Sequence, residues 1–110
     1  SRNMHRKKMM EMLLTGEPIS AQEALLCGLV NRVVSNEKME VETRNLAERI
    51  SNHSSFTVGI GKKAFYRQLD MAQEQAYVYA GEIMVTNAIH VDAQEGMCAF
   101  LEKRQPEWDN

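Results

Sequence analysis

Residues 76–89 read Ala-Tyr-Val-Tyr-Ala-Gly-Glu-Ile-Met-Val-Thr-Asn-Ala-Ile, with Glu82 as the only charged side chain. As part of a helix over residues 72–89, this run points apolar groups in nearly every direction around the axis. Such a helix is stable only when covered on more than one side. The remaining stripes of a 110-residue chain are too modest to cover it. The sequence therefore predicts that this helix meets a second subunit or a further domain.

The neighbouring elements follow from spacing and caps. A first helix is expected over residues 3–14, with Met9, Met10, Met12, Leu13 and Leu14 as its apolar surface and Thr15-Gly16 as its stop. Arg2, Arg6, Lys7 and Lys8 crowd the end where the helix dipole disfavours cations, and the chain opens on Ser1 rather than methionine. Further sequence is expected upstream. Glu17-Pro18-Ile19 should be extended, and Ser20-Ala21-Gln22-Glu23 has capping-box spacing, so a short helix carries Ala24, Leu25 and Leu26 and ends at Gly28. Residues 29–34, Leu-Val-Asn-Arg-Val-Val, are the one strand-like stretch; a lone strand cannot make a sheet, so Val33 and Val34 either lie against helices as an extended segment or pair with strands outside this chain. A third helix over 37–52 places Met39, Thr43, Leu46, Ala47 and Ile50 on one face. A fourth over 55–69 has Val58, Gly61, Ala64, Phe65 and Leu69 as its expected buried set. Asp92-Ala93-Gln94-Glu95 starts a last short helix with Met97, Phe100 and Leu101, ending before Pro106. With no repeat or linker-like tract, residues 1–110 read as a single helical domain.

Several kinds of chemistry find no support. Thirteen Lys and Arg against 15 Asp and Glu leave a net charge of −2, without the basic face expected of a nucleic-acid binder. No run approaches 18 apolar residues, and no signal-peptide pattern opens the chain, so no membrane span is expected. Cys27 and Cys98 lack metal-type spacing to His5, His53 or His90; they read as small hydrophobes in a reducing compartment, and no metal or disulfide is expected. Gly59-Ile60-Gly61-Lys62-Lys63-Ala64, with Glu82 downstream, matches a relaxed dinucleotide fingerprint. That chemistry needs a strand on either side, whereas these glycines sit in a helical pattern and read better as permitting close helix packing. His53 among Ser51, Ser54 and Ser55 reads as a polar connector between helices, not a nucleophile site. Asp92 and Glu95 have the spacing of a cap rather than of an acid–base pair.

Two stretches carry a family resemblance. Residues 10–34, with Thr15-Gly16, Ile19, Ala21, Ala24 and Gly28-Leu29-Val30 at characteristic spacing, and residues 95–104, Glu-Gly-Met-Cys-Ala-Phe-Leu-Glu-Lys-Arg, resemble the enoyl-CoA hydratase/isomerase (crotonase) family. Both lie C-terminal to the family's catalytic core, and the likeness runs over essentially the whole chain. Residues 15–26 and 61–69 further resemble a mitochondrial group within that family.

The resemblance implies an all-α chain of five or six helices with at most one short strand, equivalent to the C-terminal helical part of the ClpP/crotonase-like fold. The family's spiral core, whose backbone N–H groups form an oxyanion hole, and its two catalytic glutamates align with no residue here, so no catalytic residue carries over. The implied role is to cover the acyl-CoA site and to assemble the subunits as a homotrimer or a hexamer, without turnover by this chain alone. Coenzyme A thioesters are the family's substrates, and no further cofactor is implied. Lys103, in the family's Phe-x-Glu-Lys-Arg ending, would pair with a CoA phosphate near a subunit boundary. Met84 falls where some members carry an aromatic residue packed on the adenine, and a methionine has no ring to stack there. The implied location is mitochondrial, with cytoplasmic or peroxisomal as alternatives. A reading from another class stands beside these: a self-contained helical assembly module with no acyl-CoA role.

Overall fold

The computed structural model describes residues 3–109; Ser1 and Arg2, part of the basic opening, lie outside the described residues, as does Asn110. The chain forms six α-helices: α1 (Arg6–Thr15), α2 (Ala21–Leu26), α3 (Met39–Ser51), α4 (Ser55–Gln68), α5 (Gln73–Ala88) and α6 (Val91–Glu102), with one 3-10 turn at Asn36–Lys38. No strand occurs among the described residues, in keeping with the all-α expectation. Residues 29–34 are irregular. Their Val-rich pattern suits a strand, but a strand needs a neighbour to bond to, and none is present among the described residues.

Contacts gather into two compact units that divide between Thr43 and Arg44. In the first, Met4, Ala24 and Cys27 are the buried apolar side chains. The Cys27 carbonyl accepts the His5 N–H at 3.3 Å, tying the start of the chain to the end of α2. Gly28 follows with φ +78°, and a Cβ there would stand 3.1 Å from the Asn3 carbonyl oxygen, so glycine meets both demands. The capping box forms as expected. Glu23 donates its N–H to Ser20 Oγ at 3.2 Å, and its carboxylate accepts the Ser20 N–H at 2.9 Å. The Ser20 N–H, and then the Ser20 hydroxyl donating to the same carboxylate at 2.9 Å, hold the Glu23 carboxyl below its ordinary range. Gly16, at φ 69°, closes α1 by donating to the Met12 carbonyl at 2.9 Å. Within the basic opening, Lys8 pairs with Glu11 at 2.9 Å.

In the second unit, α4, α5 and α6 pack on one another. The inward side of α4 differs from the expected one. Phe56, Ile60, Ala64 and Gln68, each four apart, are half-buried, whereas Val58, Phe65 and Leu69 are exposed. Only Ala64 belongs to both sets. The helix carries two apolar stripes, and periodicity cannot say which one meets α5. Gly59 and Gly61 lie inside α4 with no atom within 4 Å of a built Cβ, so neither a dinucleotide turn nor close helix packing explains them within this chain. On α5, Ala76, Tyr79, Ile83 and Asn87 form one half-buried stripe. Tyr77, Val78, Met84, Val85 and Ile89 remain exposed, so the described residues cover one side of α5 and not the several its composition calls for.

Candidate functional site

An apolar groove of about 560 Å³ runs between α5 and α6, lined by Met84, Met97, Phe100 and Leu101 together with the small residues Ala93 and Gly96. Packing of α6 onto α5 turns its Met97–Phe100–Leu101 side along the groove rather than into a core: Phe100 is 82% and Leu101 80% exposed. Met84 faces them from α5. The sequence places these residues on one stripe, and the structure makes that stripe a wall.

The groove leads in sequence into a basic turn. Lys103 ends α6 in the left-handed region, at φ 57°, the only non-glycine residue there among those described. Its N–H donates to the Phe100 carbonyl at 3.3 Å, and the Arg104 N–H donates to the Ala99 carbonyl at 3.0 Å. This is the paired bonding of a Schellman turn, which usually carries glycine at the left-handed position. The two adjacent cations differ in their partners. The Arg104 guanidinium donates to both carboxylate oxygens of Glu95, at 2.5 and 2.9 Å, and to Glu102 at 2.6 Å. Glu95 also accepts the Glu107 N–H at 2.8 Å. The Arg104 bonds, and then the Glu107 N–H, push the Glu95 carboxyl down to about 2, while Arg104 is raised above its ordinary value.

Asp92 and Glu95 therefore do not form the cap expected of them. The cap of α6 is His90, whose Nδ1 accepts the Asp92 N–H at 3.3 Å. The Asp92 carboxylate, 1% exposed, instead accepts the Ser54 hydroxyl and the Asp109 N–H, the latter at 3.1 Å. These two bonds, the Ser54 one foremost, hold its carboxyl below the ordinary range. Ser54 also caps α4, its Oγ accepting the Thr57 N–H at 3.1 Å, as the polar-connector reading of this segment expects. Ser54, His90 and Asp92 do not make a nucleophilic triad. Asp92 stands against the hydroxyl directly, and the His90 ring is stacked flat on Phe56 with centroids 3.6 Å apart. The tail beyond Lys103 folds back over this region, where Trp108 Nε1 donates to the Asn52 carbonyl at 2.8 Å and its ring lies against Gly96. Sequence reading missed this tail strap entirely; a lone tryptophan after a helix stop was its one visible sign.

No described helix is long and apolar enough to cross a membrane. Cys27 is buried and Cys98 exposed, and both are free thiols.

Comparison with known proteins bears out the family resemblance. The family model for enoyl-CoA hydratase/isomerase matches residues 1–110. The chain is 48% identical over 109 residues to the mouse (Mus musculus) enoyl-CoA hydratase domain-containing protein 3, mitochondrial, covering 99% of this chain and 36% of that protein. The crystal structure of human enoyl coenzyme A hydratase domain-containing protein 3 superposes with a TM-score of 0.95 at 47% identity, over 97% of this chain and 42% of that one. That of an enoyl-CoA hydratase from Mycobacterium smegmatis also gives 0.95, at 44% identity over 99% of this chain and 42% of that one. The domain-containing protein 3 group is the mitochondrial group that residues 15–26 and 61–69 resemble, and the mitochondrial designation in the names of its members agrees with the expected location. The chain spans little more than a third of the length of the curated relatives it matches. The match along all 110 residues, with the agreement in fold, establishes that this chain belongs to the enoyl-CoA hydratase/isomerase family.

Proposed function

We propose that this chain is the C-terminal, helical region of an enoyl-CoA hydratase/isomerase-type protein. It covers the acyl-CoA site and assembles subunits into a trimer or a hexamer, and has no turnover of its own. The observation that carries this reading is the apolar groove between α5 and α6, whose Phe100–Leu101 wall runs on in sequence into the basic turn at Lys103. Met84, Met97, Phe100 and Leu101 offer an apolar lining to an acyl or pantetheine chain, and the Lys103 ammonium pairs with a phosphate of coenzyme A. Arg104 is unsuited to that task because Glu95 and Glu102 already hold its guanidinium. The exposed face of α5 supplies the surface for subunit contact. No residue of this chain is assigned a proton-transfer or oxyanion role.

Titration of coenzyme A into the full chain by calorimetry tests the reading. Binding is expected, weakened about tenfold by Lys103→Ala, as befits one charge-assisted contact. Absence of any binding, in the chain alone and in its assembled form, would favour the helical assembly module with no acyl-CoA role.

A further inference from the structure

We infer that Glu95 is the positioning residue of the basic turn: by clamping Arg104 and the Glu107 N–H, it holds Lys103 in the left-handed conformation from which it meets a phosphate of coenzyme A. This rests on the coenzyme A role proposed for Lys103. Three features of α6 and the tail that follows it lead to it. A lysine in the left-handed region is strained by its Cβ, and such a residue stays there only where its surroundings over-determine the conformation. The surroundings here are specific. Glu95 lies two turns before the end of α6 and reaches past it, bonding Arg104 on one side of the turn and the Glu107 backbone beyond it. The strained residue is thus bracketed by a helix on one side and a fixed arginine on the other, while its own N–H is held by Phe100. The division of labour between adjacent cations follows. Arg104 is bound to carboxylates and acts through the backbone, and Lys103, with no side-chain hydrogen bond or ion pair described, keeps its charge for a ligand.

A double-mutant cycle on the full chain, read by calorimetric titration of coenzyme A, tests this. Lys103→Gly suits the left-handed position, so it should melt no lower than the parent while binding coenzyme A about tenfold more weakly. Glu95→Ala should weaken binding about fivefold when Lys103 is present and leave it unchanged in the Lys103→Gly background. Glu95→Gln, which keeps a neutral acceptor, should fall between. It also guards against a Glu95→Ala chain that fails to fold, and the backbone chemical shifts of residue 103 in it should move away from left-handed values. If Lys103→Gly weakens binding but Glu95→Ala acts equally in both backgrounds, or not at all, the positioning role is overturned and the coenzyme A role of Lys103 survives. If Lys103→Gly leaves binding unchanged, the coenzyme A role falls and the positioning role with it.

Discussion

At Glu95 a single carboxylate joins three parts of the chain, and the join has a pH signature. Its ordinary value of 4.5 is lowered to about 2 by the Arg104 guanidinium and the Glu107 N–H. A carboxylate depressed in the folded state adds stability above its unfolded value, because the unfolded chain takes up the proton first as the pH falls. The contribution is therefore complete above about pH 5 and drains away between about 4.5 and 2. Melting temperatures of the parent chain and Glu95→Gln should differ by a constant amount near pH 6 to 7, converge below pH 4.5 and meet near pH 2. A gap that is the same at pH 3 as at pH 7 would mean the clamp does not stabilise the folded chain. This pairing was not legible in the sequence. The separation of Glu95 and Arg104 is not a helical spacing, and the two come together only because Lys103 reverses the chain between them. The same holds for Trp108 and Asn52, 56 residues apart, and for Ser54 and Asp92, 38 apart. What could be read at this scale was local: Gly16, Gly28 and the Ser20–Glu23 box, where sequence neighbours satisfy one another.

Elements divide in the same way. The ends of α2 could be read because a capping box and a terminal glycine are chemical signals that act within a few residues. The inner side of α4 could not, because Phe56–Ile60–Ala64 and Val58–Phe65–Leu69 are both acceptable apolar stripes until a partner helix chooses one. Residues 29–34 turn on the opposite matter: their strand pattern is sound, but with no partner strand among the described residues they stay irregular. The α5–α6 groove was half legible: Met97, Phe100 and Leu101 were seen as a stripe, but helix pairing decided that the stripe stays open. At the end of α2, the left-handed backbone of Gly28 makes a sharp test. Gly28→Ala adds a Cβ 3.1 Å from the Asn3 carbonyl and forces a side chain to φ +78°. The left-handed penalty alone is about 1 to 2 kcal/mol, so chemical denaturation should register a loss of at least that size. An unchanged midpoint would show that residues 3–5 do not hold the α2 end in solution.

Across the whole molecule the outstanding quantity is surface. The chain exposes 9423 Å², whereas a compact folded protein of 12.6 kDa exposes about 6200 Å². Dividing the same mass between two separate compact bodies raises the figure only to about 7400 Å². Roughly 2000 Å² is therefore unaccounted for by packing within either unit, which is the scale of a stable protein–protein interface. Much of it is apolar: Val85 is 64% exposed, Met84 64% and Ile89 77% on α5, and Phe65 and Leu69 stand open on α4. Each such side chain left in water forgoes roughly 1.5 to 3 kcal/mol, and a few together exceed the whole margin of a small domain. The chain on its own should therefore self-associate through the open side of α5, with light scattering at tens of micromolar giving a mass above that of one chain. Val85→Glu places a charge in the middle of that face and should shift the mass toward the single chain and lower the melting temperature, the latter more at high protein concentration. A folded single chain at those concentrations, with melting indifferent to Val85→Glu, would show that α5 needs no second copy to cover it.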